Sequence, residues 1–115
     1  MRNIITFLAL FSMSSYGATS PEIQKYLANV LKANDAVHSA FIKNDEQGFK
    51  MVWDGFEKAL SQTRPDELKE LITESKSASS KLMTATSLDE KRKFYGDVVK
   101  PIVLLLQKYG PIESY

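Results

Sequence analysis

Apolar residues along this chain recur three and four positions apart with polar residues between them, the periodicity of helices and not of strands. The longest such run lies between Ser87 and Gly110. Tyr95, Val98, Ile102, Leu105 and Tyr109 form its stripe, and Val99 and Leu106 widen it. A stripe this broad needs more than one neighbour. Ser87-Leu88-Asp89-Glu90 opens it as a capping box, with Ser87 capping the third helical N–H and Glu90 reaching back to the N–H of Ser87. Gly110-Pro111 predicts a stop at a left-handed glycine. Pro101 interrupts the run: it has no N–H, and its ring crowds the carbonyl of Asp97. The stripe keeps its phase from Val98 to Ile102, so a kink is expected at Pro101 and not a break.

Three further helices precede it. Thr19-Ser20-Pro21-Glu22 reads as a start, with Thr19 and Glu22 spaced as a capping box. Ile23, Leu27, Val30, Val37 and Phe41 then carry a stripe to about residue 43, with Asn34 in its seam and Leu31 and His38 at its edges. Asn44 and Gln47 form a second box-like pair before Phe49, Val52, Trp53, Phe56 and Leu60. Gly48 and Gly55 fall inside this second helix; Gly48 reads as tolerated, whereas Gly55 could mark a close helix approach near Trp53. Thr63-Arg64-Pro65-Asp66-Glu67 is the next stop and start. Leu68, Leu71, Ile72, Ala78 and Leu82 follow, on a face thinned by Ser75, Ser77, Ser79 and Ser80, so this third helix is expected to be the weakest. Phe41, Phe49, Trp53, Phe56, Phe94, Tyr95 and Tyr109 supply much of the core. The predicted fold is all-α, an antiparallel up-and-down four-helix bundle with short connections.

The first residues do not belong to that pattern. Met1-Arg2-Asn3 is a positive start, Ile4 to Met13 is an apolar run, and Ser14 to Ala18 offers small residues for cleavage. Cleavage after Gly17 places small residues at both required positions; cleavage after Ala18 places Tyr16 at one of them. The apolar run is too short to span roughly 30 Å of hydrocarbon. The expectation is a cleaved signal peptide over 1–18, a bundle domain over 19–110 and a tail over 111–115, in a bacterial periplasmic or secreted protein without a stable membrane anchor.

Composition narrows the chemistry. There is no Cys, which removes disulfides, thiolate nucleophiles and cysteine metal sites together. Fifteen Lys and Arg face fourteen Asp and Glu, and loss of Arg2 with the leader would make the two equal. Interspersed charges of that kind do not make the basic surface that nucleic-acid binding needs. His38 is the sole His, with Asp35 one turn before it; the pair is the candidate metal site, although metals normally take three or four protein ligands. Haem would have only His38, Met51 and Met83 as axial candidates. Paired acids at Asp66, Glu67 and Glu70, and at Asp89 and Glu90, sit in first turns, where helix dipoles explain them. No phosphate loop or nucleophile motif occurs, so no enzymatic activity and no cofactor is expected.

Two stretches carry a family likeness. Val30-Leu31-Lys32-Ala33-Asn34-Asp35-Ala36-Val37 runs through Phe41-Ile42-Lys43-Asn44-Asp45 to Trp53 and Leu60, and the second spans Leu88 to Val99 around Arg92 and Phe94. Together they resemble a bacterial periplasmic helical domain of unknown function, often appended to membrane-fusion (adaptor) subunits of copper and silver efflux systems. The likeness implies a four-helix bundle over nearly all of the mature chain, here stand-alone. Members commonly continue into a segment with a Cys-Pro-Met motif, which this sequence lacks, so no metal ligand carries over. Arg92 and Phe94 are the signature positions, and the structural account of them, Arg92 pairing with an acid and Phe94 packing, is the favoured one. The expected function is therefore an exported non-catalytic module that binds an envelope or efflux protein; the alternative is a periplasmic metal or small-ligand carrier using His38 and Asp35.

Overall fold

The structure, a computed structural model, describes residues 20–112. The expected leader and the last three residues lie outside that range. Among the described residues four helices follow one another: α1 (Pro21–Lys43), α2 (Glu46–Ser61), α3 (Lys69–Leu82) and α4 (Leu88–Tyr109), with a 3-10 turn at Asp66–Leu68 before α3. The described residues contain no strand, and the fold is an all-α four-helix bundle. The closest packing is of α1 on α2 and of α3 on α4, with thinner contacts between the two pairs.

Helices α1, α2 and α4 begin where a side chain takes up an orphan N–H, though not always at the expected residue, whereas α3 grows out of the 3-10 turn without a side-chain cap. Ser20 caps α1, its hydroxyl accepting from the Ile23 N–H at 3.1 Å with Pro21 in the first turn, while Thr19, the expected cap, lies outside the described residues. Asp45, and not Asn44, caps α2, accepting from the Gly48 N–H at 2.9 Å. Asn44 is committed to the helix before: it adopts φ 54°, ψ 44° and ends α1 with its N–H on the carbonyls of Ala40 and Phe41. Ser87 caps α4 as expected, accepting from the Glu90 N–H at 3.1 Å. Glu90 reaches one residue further back than the capping box requires, accepting from the N–H and hydroxyl of Thr86 at 3.1 and 3.0 Å.

The glycines also depart from expectation. Gly110 is not left-handed but extended, at φ −75° and ψ 174°. Its N–H donates to Leu106 O at 2.8 Å, and a Cβ there would lie 2.4 Å from that same oxygen. Closeness to backbone is what favours glycine here. At Gly48 a Cβ would meet the capping carboxylate of Asp45 at 2.2 Å. At Gly55 it would meet nothing within 4 Å, so no close helix approach occurs there.

The core is built round an aromatic chain. Phe49, Trp53 and Phe56, one turn apart on α2, stack with ring centroids 5.4 and 5.1 Å apart. Tyr95 of α4 sets its edge against Trp53, Phe56 and Phe41 at 5.4–6.0 Å. Such offset and edge contacts match ring quadrupoles and add to the burial of the rings. Phe94 and Tyr109 pack only at its margin. Asn34, in the seam of α1, accepts the Tyr95 hydroxyl, which explains a polar residue at that position.

Ser75 and Ser79 are both buried on α3. Their hydroxyls are engaged: Ser75 donates to the Val98 carbonyl of α4 at 2.7 Å, and Ser79 to the Glu57 carboxylate of α2 at 3.0 Å. Ser75 and Ser79 are therefore bonded within the seam, whereas Ser77 and Ser80, expected on the same face, are exposed. Helix α4 continues through the buried Pro101 without a break. Val98 adjoins Asp97, whose carbonyl Pro101 cannot serve as a donor. The chain stays attached beyond α4, with Ile112 against the core and Gln24 Nε2 donating to Pro111 O at 3.0 Å.

Candidate functional site

The candidates picked from sequence all reach the surface. His38 and Asp35 are exposed one turn apart on α1, and the described residues contain no group of three or more His, Cys, Asp or Glu able to hold a metal ion. Met51 on α2 is 78% exposed and Met83 at the end of α3 is 49% exposed. None of the three side chains suggested for haem is withdrawn into the core. No helix among the described residues is long and apolar enough to cross a membrane.

Arg92 and Phe94 have structural work. Phe94 is half-buried against the core. Arg92 pairs with Asp89 through Nη1, and its Nη2 donates to Phe41 O at 2.7 Å and Asn44 Oδ1 at 3.0 Å. Its guanidinium carbon also lies 5.7 Å from the centre of the Phe41 ring. The first turns of α4 thus tie down the last carbonyls of α1, where a cation is favoured by the helix dipole. The acid partner was legible from sequence; the tie to α1 was not.

A cleft of about 570 Å³ opens between the first turns of α1 and the connection that leaves α2. Glu22, Lys25, Tyr26 and Asn29 form one wall, all on one side of α1 by their spacing, and Thr63 and Arg64 lie on the other. The end of α2 shapes the second wall. Its Leu60 carbonyl accepts the Tyr26 hydroxyl at 2.6 Å in a buried bond. Arg64 Nη1 donates to Gln62 O at 3.1 Å and, more weakly, to Leu60 O at 3.5 Å. Asn29 Nδ2 donates to Gln62 Oε1 at 3.3 Å across the cleft. Pro65, at φ −62°, leads from the connection into the 3-10 turn.

Charge in the cleft is uneven. Lys25 and Arg64 are cationic and Glu22 is anionic; neither Lys25 nor Glu22 forms an ion pair among the described residues. Arg64 Nε is buried without an acceptor. Burial pushes the Tyr26 phenol up to about 12, with the Arg64 charge pulling the other way, so Tyr26 is a neutral donor at physiological pH. Burial likewise raises the Tyr95 phenol, and the Asp35 charge adds to that effect. The cleft thus presents hydrogen-bond donors and charges of both signs.

Sequence reasoning passed over this cleft because Arg64 read only as part of a helix stop and Tyr26 was absent from the stripe. Tyr26 stands three residues after Ile23 and four before Val30, so its spacing could have placed its ring in the core and its hydroxyl at a helix end. The chain was compared with protein-family models, curated proteins and solved structures, and no match was found.

Proposed function

We propose that this chain is an exported, non-catalytic helical module that acts by binding another protein of the bacterial envelope, as an accessory to efflux. The observation that carries the reading is the side-by-side pair Val103 and Leu104 on α4, each 46% exposed on a helix whose inner face is closed by Val98, Ile102 and Leu105. Single exposed aliphatics are ordinary on protein surfaces, and Val103 and Leu104, consecutive on α4, would supply the apolar part of the contact. Export is supported by the charged, apolar and small-residue segments at the start of the sequence. The envelope and efflux assignment is supported by the likeness around Arg92 and Phe94 to the adaptor-appended domain.

The test is crosslinking of the tagged protein in intact cells, with identification of what is captured. The expected partner is an efflux adaptor subunit, lost when Val103→Glu and Leu104→Glu are combined, at an unchanged melting temperature. Capture that is indifferent to both substitutions would remove the α4 surface as the contact. Recovery of the chain only from the cytoplasm would remove export.

A further inference from the structure

We infer that the cleft between α1 and the 62–65 connection is a binding site for a small α-amino carboxylate. It is separate from the α4 surface and does not depend on the reading above.

The walls are set before any ligand arrives. Tyr26 and Arg64 converge on the end of α2, and Asn29 bridges to Gln62. A ligand therefore need not order this part of the chain, which lowers the entropic cost of binding. The volume of about 570 Å³ lies within the roughly 300–1,000 Å³ typical of small-molecule sites.

The charges select the ligand class. Lys25 is exposed and has no ion-pair partner among the described residues. Arg64 Nη1 is spent on backbone carbonyls, while its Nη2 makes no hydrogen bond among the described residues. These two cations can meet one carboxylate from two directions. Gln62 Oε1 already accepts from Asn29, which leaves Gln62 Nε2 as a donor, and Thr63 lines the same cleft. Glu22 gives the same cleft one acceptor of negative charge, suited to an ammonium group. That carboxylate, together with the carbonyl-rich end of α2, makes the site a poor one for a compact, doubly charged phosphate. A molecule carrying both a carboxylate and an ammonium satisfies each wall.

The experiment follows backbone amide shifts of the ¹⁵N-labelled protein as L-glutamate, succinate or inorganic phosphate is added to about 20 mM, enough to detect millimolar affinity. L-Glutamate should move the amides of residues 22–29 and 62–65 saturably. Succinate should move the same amides with weaker affinity, having nothing to offer Glu22. Lys25→Gln should weaken L-glutamate binding about tenfold, and Glu22→Gln should abolish the preference for L-glutamate over succinate. Both substitutions are at exposed positions, so the fold survives them. The assignment is overturned by the absence of a saturable shift with either carboxylate, by shifts that map elsewhere, by phosphate binding as well as L-glutamate, or by unchanged affinity in Lys25→Gln.

Discussion

Arg92 holds the carbonyl of Phe41, a residue 51 positions earlier, and in doing so joins the start of α4 to the end of α1. The same guanidinium reaches Asn44, the left-handed residue on which α1 ends. Arg92→Ala should lower stability by about 1–3 kcal/mol, the range for charge-assisted hydrogen bonds to a partly buried carbonyl. Arg92→Lys should recover little of it, because a single ammonium cannot reproduce a fork that serves Asp89, Phe41 and Asn44 together. Urea unfolding of the three proteins provides the measurement; a lysine variant as stable as the wild type would mean that charge alone suffices.

The glycines separate into two kinds with opposite expected effects. Gly55 lies exposed inside α2 with open space around it, so Gly55→Ala should stabilise by about 1 kcal/mol through helix propensity. Gly110→Ala should destabilise by about 1–3 kcal/mol, since the new Cβ would press on the Leu106 carbonyl and the backbone must shift. Thermal melts of the two variants should move in opposite directions. Gly48→Ala should fall between them, its propensity gain offset by displacement of the Asp45 cap.

Trp53 is buried in the aromatic chain with an indole N–H that finds no acceptor. Trp53→Ala should cost about 3–5 kcal/mol, much of the stability of a domain this size. Trp53→Phe should cost far less, because it keeps a ring in the stack and removes the unpaired donor. A phenylalanine variant as damaged as the alanine one would show that the indole N–H is bonded after all, most simply to a buried water.

Alkaline pH should unfold the protein through its buried phenols. Tyr26 is raised to about 12 and Tyr95 is raised as well, both chiefly by burial. The unfolded chain loses these protons near pH 10, while the folded chain keeps them. The stabilisation is therefore fully present below pH 10 and declines as pH rises through 10 towards the folded values. Denaturant midpoints should be level from pH 8 to 9.5 and fall beyond it, with the 295 nm phenolate absorbance of both residues appearing only on unfolding. Early ionisation of either in the folded state would contradict the burial described.

Much of this architecture was readable because helices announce themselves locally. The stripes through Leu27, Trp53, Ile72 and Ile102 each needed only a window of a few turns. Caps were harder, for a competitive reason. Asn44 and Asp45 are both good N-caps, but only one can start α2 once the other has turned left-handed to end α1. The ties that hold helix ends together were invisible: nothing near Arg92 mentions Phe41, and nothing near Tyr26 mentions Leu60. The cleft depends on those ties, so no local pattern could have revealed it.

The two buried serines of α3 give that helix something its small side chains cannot. Between Ile72 and Leu82, which are buried near its two ends, the packing of Ser and Ala against a neighbour is nearly featureless. Ser75 is fastened to α4 and Ser79 to α2, in different directions. A slip of one turn, roughly 5.4 Å, would strand both hydroxyls in the interior at about 1–3 kcal/mol apiece. Polar bonding thus secures, between Ile72 and Leu82, the register that those two buried side chains set at either end of the helix.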